Sequence, residues 1–139
     1  MAVVSTAREW FGSVLALAGV AAATASVRHT AQHIGEEIYR VPHDRRGAGH
    51  VHYHMAREAL VTTGALASVV TSVLAGPGRG RTGWRAMAAV VAGYSAAMWC
   101  GGPVTGRWAP SRQAMYSHVG STTGLVAGVL LLRPRRQER

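Results

Sequence analysis

Four stretches of this chain contain no charged residue, and each is long enough to cross a membrane as a helix. They cover residues 10–27, 59–78, 86–106 and 113–132, with lengths of 18, 20, 21 and 20 residues. A membrane-spanning helix needs about 20 mostly apolar residues. A surface helix of a soluble protein would instead carry a charge on its wet face every turn or so. The pattern therefore predicts an all-α integral membrane four-helix bundle.

Small residues make up much of these stretches, so the mean hydropathy of the chain is only +0.10. Such residues suit helix contacts in lipid, because they let two backbones approach closely. A soluble helical bundle is the alternative that the modest hydropathy leaves open. The glycines that fit close helix contact are Gly12, Gly19, Gly93, Gly120, Gly124 and Gly128.

Turn signals separate the predicted helices and leave a single domain over residues 1–139. Glycine and proline mark a turn at 76–80 and the end of the third helix at 101–103. A polar segment, residues 28–58, joins the first two helices. The first stretch also resembles a signal peptide, with a candidate cleavage site at 23–25.

Charge refines the placement of the bundle without changing its class. The net charge is +9, and all 15 basic residues are Arg. They lie in short islands between neutral stretches, which argues against a nucleic-acid partner. Trp and Tyr lie near the ends of the stretches, as in the aromatic belts of membrane proteins. Arginines divide almost evenly between the two predicted sides, so orientation rests on a small bias. We expect a bacterial cytoplasmic membrane with both termini cytoplasmic.

The candidate chemistry is concentrated in the polar segment, which holds six of the seven His and four of the six acidic residues. If the first helix continues until Pro42 stops it, then His29, His33 and Glu36 lie on one helix face. That face would also carry Arg40.

The second helix is expected to begin near His52, which places His54 and Glu58 one turn apart on a shared face. His118 opens the fourth helix on the same side of the membrane. Imidazole binds zinc, copper and iron, and added carboxylates favour iron or zinc. The candidate catalytic residues are His29, His33, Glu36, His54, Glu58 and His118, and the first five are also the candidate metal ligands, with His50, His52 and His118 as further possible ligands.

Plainer interpretations of the same residues stay open. The histidines could be interfacial or loop residues without a ligand, and Glu36 and Glu37 could be solvated or paired with Arg40. Arg107 fits an interfacial anchor. The lone cysteine, Cys100, cannot form an intrachain disulfide and is expected to be buried and inert.

The C-terminal third resembles the anthrone-oxygenase family of small four-helix membrane proteins. The resemblance rests on Pro103, Arg107, Trp108 and His118, in that order, across the end of the third helix and the start of the fourth. The family's two Asn positions are Thr105 and Gly106 here, and an Arg common in the family is Ser121. The resemblance implies oxygenation of an aromatic, polyketide-like substrate, with a metal optional because an electron-rich substrate anion can react with oxygen directly.

Three functions therefore compete. The first is a membrane-embedded enzyme acting on a lipophilic small molecule, either an oxygenase or oxidoreductase or an acid–base isomerase or cyclase. It would use iron, copper or zinc, or no cofactor. The second is a redox subunit that binds haem b through His29 or His33 with His118. The third is a non-catalytic accessory protein of a partner membrane subunit. The lipid bilayer is the expected surrounding, and a homo-oligomer is compatible with each function.

Overall fold

The computed structural model describes residues 2–39 and 49–134, with side chains from residue 7 onward. Over these residues the fold is all-α, as predicted, with four long helices, one short helix and no strand. The long helices are α1 (Ala2–Gln32), α2 (His50–Leu74), α3 (Gly80–Trp99) and α5 (Arg112–Leu131), and the short one is α4 (Gly101–Thr105).

The turn between α2 and α3 forms as predicted, and its glycines are required by the backbone. Gly76 and Gly80 have φ angles of +53° and +59°, in the left-handed region that favours glycine. Between them the chain makes one short 3₁₀ turn, Gly76–Arg79. This tight connection makes α2 and α3 antiparallel neighbours.

The first helix ends earlier than predicted. Instead of continuing to Pro42, α1 ends at Gln32, and a 3₁₀ turn follows at Glu37–Tyr39. Gly35 has a φ angle of +93°, a conformation that commonly terminates helices. The prediction that Glu36 shares a helix face with His29 is therefore wrong. Pro42 and Arg40, on which that prediction also relied, lie outside the described residues.

The four long helices form a ring in which each contacts two neighbours. Helix α1 packs against α2 and α5, and α3 packs against the same two. The ends of antiparallel helices meet: Nη2 of Arg8 donates to the carbonyl of Leu130 at 3.2 Å, and Nε1 of Trp84 donates to that of Val129 at 2.9 Å. The start of α1 and the end of α5 therefore approach the α2–α3 turn at one end of the bundle.

The closest helix pair is α1 with α5, and glycines make it possible. A Cβ atom on Gly19 would lie 2.5 Å from the backbone nitrogen of Leu125, and one on Gly128 would lie 2.6 Å from that of Ala16. A Cβ on Gly124 would lie 2.8 Å from Cα of Gly19. Close contact through these glycines is confirmed. For Gly93 it is wrong, since a Cβ there would meet no atom within 4 Å.

The buried core is narrow, and much of the outer surface is apolar. Small side chains such as Ala16 and Ala23 are fully buried, and the largest buried residues include Met87 and Leu125. By contrast, Leu60 and Leu74 are 74% and 76% exposed. Large exposed apolar patches on a single chain mark contact with a membrane or a partner.

Two helical stretches, Ala7–Gln32 and Gly76–Thr105, are long and apolar enough to cross a membrane. Only 22% of the most apolar window in each is buried inside the bundle. The core helix of a soluble protein would be mostly buried. Length and composition thus make membrane association the coarse expectation that the fold supports.

At the end where the termini meet, one buried arginine joins three helices. Arg79 pairs with Glu9 of α1 and donates to the carbonyls of Gly76 and Ser72, at 2.7 Å and 3.4 Å, and of Leu132, at 3.3 Å. Its side chain is only 3% exposed. The α2–α3 turn is thereby tied to the start of α1 and the end of α5.

Candidate functional site

A cavity of about 360 Å³ lies at the end of the bundle opposite the chain termini. Its lining brings together side chains that carry chemistry from three helices and one loop. They are His29 of α1, Glu58 of α2, His118 of α5, and Arg107 and Trp108 of the loop between α4 and α5. Three of the six candidate catalytic residues thus meet at one site.

The loop between α4 and α5 is shaped by local backbone requirements. Helix α4 ends at Gly106, whose φ angle is +75°. The Trp108 ring lies against Gly102, where any side chain would overlap it. Oγ of Ser111 then caps α5 by accepting from the backbone nitrogen of Ala114 at 3.1 Å. These contacts hold Arg107 and Trp108 against the cavity.

The backbone and one edge of the ring of His118 are in contact with neighbouring residues. Its carbonyl accepts from Oγ1 of Thr122 at 2.7 Å and from Oγ of Ser121 at 3.2 Å. Trp99 packs edge-on against the imidazole, with ring centroids 5.8 Å apart, and its Nε1 donates to Thr122 at 3.3 Å. Among the described residues, the buried Nδ1 of His118 has no hydrogen-bond partner. Burying this nitrogen unpaired is costly, so a polar group that came within hydrogen-bond reach of it would lower that cost.

A chain of ionisable groups leads away from the cavity through His29. Nε2 of His29 lies 3.3 Å from Nε2 of His33, within hydrogen-bond reach. Nδ1 of His33 lies 3.0 Å from Oε2 of Glu36, an ion-pair distance without hydrogen-bond alignment. The Glu36 carboxylate is exposed. The predicted trio of His29, His33 and Glu36 therefore does lie together. The turn after α1 brings Glu36 to His33, and the three residues do not share one helix face.

The remaining histidines of the polar segment lie elsewhere. His52 binds the backbone carbonyl of Glu36 at 3.1 Å, which ties α2 to the turn after α1. His54 is exposed and packs against His50 and Tyr53, with ring centroids 4.6 Å and 5.4 Å away. The structure thus places His54 outside the cavity lining. His43 and Asp44 lie outside the described residues.

The expectation that Cys100 is buried is wrong. The residue follows the end of α3, its side chain is exposed, and it lines the cavity. Its Sγ is 3.0 Å from the carbonyl of Ala97. The charge-free stretch extends past it to residue 106, which hid the break in the helix.

Some lining residues carried no signal in the sequence. Ser26 and Thr30 look like ordinary small residues of an apolar helix, yet both line the cavity. Arg107 fits an interfacial anchor by its position, and the resemblance to anthrone oxygenases was the one hint of another role. Arg107 reaches the cavity because the loop between α4 and α5 folds back over the end of α3.

Within residues 2–39 and 49–134, no three His, Cys, Asp or Glu side chains lie close enough together to hold a metal ion. The His29–His33 pair does have suitable spacing. Two nitrogens bound to one tetrahedral zinc at about 2.0 Å are about 3.3 Å apart, as these two are. Glu36 stands where a carboxylate commonly orients a metal-binding His. The pair therefore fits two ligands of a metal that draws its others from water or substrate.

Comparison with family models, with characterised proteins and with solved structures finds no match to this chain.

Proposed function

We propose that this protein is a four-span integral membrane enzyme that removes a proton from a lipophilic aromatic small molecule and oxygenates the resulting anion. The observation that carries the proposal is the cavity shared by His29, Glu58, Arg107 and His118. A base, a cation and an unpaired buried imidazole nitrogen at one site are the parts that such a reaction needs.

Four spans are supported by the sequence and the exposed surface together. Each long helix overlaps a charge-free stretch of 18 to 21 residues, and exposed leucines and valines lie on α1, α2 and α5. Two of the helices also pass a test of length and hydropathy. Lipid would cover these apolar faces, and a lipophilic substrate would reach the cavity from the membrane.

The proposed role of His29 is that of general base. An imidazole has two nitrogens, so it can accept a proton on one and pass another from the other. His33 lies within hydrogen-bond reach of His29, and exposed Glu36 lies 3.0 Å from His33, so the proton would move away from the cavity along these groups once His33 and Glu36 align as a hydrogen bond. Arg107 would stabilise the negative charge on the substrate oxygen, and Nδ1 of His118 would bind the same molecule.

The reaction balances with molecular oxygen as the oxidant. Loss of a proton from an activated CH₂ group gives a delocalised anion, which transfers an electron to oxygen. Recombination of the substrate radical with superoxide forms a carbon–oxygen bond, and the resulting peroxide anion takes back the proton held by the histidines to give a hydroperoxide. Loss of water then leaves a carbonyl, so CH₂ and O₂ become C=O and H₂O.

The test uses the protein in lipid nanodiscs with a dihydroxyanthrone as substrate, and follows oxygen uptake and quinone absorbance against empty nanodiscs. We expect His29→Ala to lower kcat by about 100-fold or more, in the range of general-base loss. Arg107→Gln should raise KM. His54→Ala is the matched control, because His54 is a histidine of the same segment outside the cavity, and it should stay within about twofold. Turnover equal to empty nanodiscs, or equal loss in both histidine variants, would refute the proposal.

Metal-dependent oxygen activation is the second candidate, and the 3.3 Å spacing of the His29 and His33 nitrogens favours it. Metal analysis and an absorption spectrum of the same preparation distinguish metal-dependent oxygenation from cofactor-free oxygenation. Stoichiometric iron, copper or zinc that disappears in His33→Ala would assign the pair to a metal, and a Soret band would identify haem b. A product of unchanged mass without oxygen uptake would instead identify an isomerase or cyclase.

A further inference from the structure

A second cavity lies at the end of the bundle where the start of α1 and the end of α5 meet, and it is strongly basic. Its volume is about 520 Å³. Arg8, Arg79 and Arg133 line it, and Glu9 is the single acidic residue among the described lining residues. Because Glu9 is already paired with Arg79, Arg8 and Arg133 have no carboxylate partner among residues 7–39 and 49–134.

The three arginines differ in how many of their N–H donors already bind acceptors within the protein. Arg79 is buried and holds four acceptors from three helices and the turn, so its role is structural. Arg8 uses one of its donors on the carbonyl of Leu130. Arg133 is exposed and lies over the Trp84 ring, 5.7 Å from its centroid. Arg8 and Arg133 therefore face the same cavity with donors to offer.

A phosphate group matches this arrangement in charge and in donor geometry. Guanidinium groups bind phosphate oxygens through paired N–H donors, and they lose less hydration than an ammonium would. The buried charge of Arg79 beneath the cavity adds to the positive field. Trp10 lines the same cavity and is 60% exposed, as a side chain at a membrane interface would be.

We propose that this cavity, lined by Arg8, Trp10 and Arg133, binds a phosphate group, either that of an anionic lipid or a free phosphate. The cavity is separate from the proposed catalytic one. Glu9 and His29 are 20 residues apart on α1, which corresponds to about 30 Å along a helix. The proposal of a phosphate site can therefore be tested independently of the catalytic proposal.

The test measures binding to the full chain in a neutral detergent at low salt. The probes are dihexanoyl phosphatidic acid, dihexanoyl phosphatidylcholine and inorganic phosphate. The Arg8→Gln, Arg133→Gln double variant removes the proposed contacts. The Arg81→Gln, Arg85→Gln double variant is the matched control, because it removes the same charge from exposed positions at the same end but outside the cavity.

We expect the anionic lipid to bind about tenfold more tightly than the zwitterionic one, and the first variant to lose this preference while the control keeps it. Binding of inorganic phosphate that the first variant also loses would assign the site to the free ion; binding of the lipid alone would assign it to a headgroup. Arg133→Gln alone, at an exposed position, reports the site if the double variant fails to fold. Equal affinity for both lipids, or equal loss in both double variants, would overturn the proposal.

Discussion

Cys100 is the residue at which the structure departs most usefully from expectation. It is exposed on the cavity wall, and it is the only cysteine in the chain. A thiol-specific reagent therefore reports on the cavity without interference from any other site.

We expect a small maleimide to modify the wild-type protein and to block dihydroxyanthrone turnover, because the adduct would fill part of a 360 Å³ cavity. Prior incubation with the substrate should slow the labelling, which mass spectrometry follows. Cys100→Ser should turn over normally and resist the reagent. Full turnover by a completely labelled protein would show that the cavity is not the place of reaction.

Single residues also show why the cavity was only partly predictable. His29 and Glu58 belong to the segment 28–58, which holds six of the seven His and four of the six acidic residues, and His118 is the one His outside it, so composition pointed to all three. His54 has the same composition signal, but it is exposed and packs against His50 and Tyr53. Glu58 shares that face of α2 and lines the cavity one turn further along, and the sequence pattern does not specify at which turn of the helix the cavity lies.

At the scale of helices, the α1–α5 contact is the feature most open to direct test. Gly19→Ala would place a methyl group 2.5 Å from the Leu125 backbone nitrogen, so the two helices would have to separate. We expect a loss of about 1–3 kcal/mol in the free energy of unfolding, as for overpacked interiors. Thermal unfolding in detergent, followed by circular dichroism, measures it.

Gly93→Ala is the control for that substitution. It makes the same chemical change in another helix, where a Cβ atom meets nothing within 4 Å. Its stability should stay the same or rise, because Ala has the higher helix propensity. An equal loss in both variants would mean that helix flexibility, and not the α1–α5 contact, sets the stability.

Helix positions could be predicted well from charge-free stretches, because each long helix overlaps one. The ends of the helices could not be predicted from these stretches. The end of α1 depends on Gly35 adopting a left-handed conformation, whereas Pro42 looked like the stronger stop signal. In addition, the third charge-free stretch covers both the second part of α3 and all of α4, and only the packing of Trp108 on Gly102 reveals the loop beyond them.

At the scale of the whole molecule, Arg79 connects α1, α2 and α5 at the end opposite the proposed catalytic cavity. Replacing it with Gln would leave Glu9 without its partner and remove bonds to the end of α5 and to α2. Breaking one side of a buried ion pair costs about 3–5 kcal/mol, and partial exposure of Glu9 favours the lower end of that range.

Urea or thermal unfolding of Arg79→Gln measures this loss. Arg81→Gln, an exposed neighbour, should change the stability by less than about 0.5 kcal/mol. Equal stability of the two variants would show that the buried network makes no net contribution to the free energy of unfolding, which is the case for some buried ion pairs.

The glycine contact between α1 and α5 has a consequence for the order in which the molecule is made. Of the four long helices, α1 is synthesised before the other three, and its closest partner, α5, follows after them. Until α5 has been synthesised, the Gly12, Ala16 and Gly19 face of α1 stays uncovered, and the cavity lacks His118. A chain interrupted before residue 112 would therefore present this face to cellular quality control, which could use it to distinguish incomplete chains from finished ones.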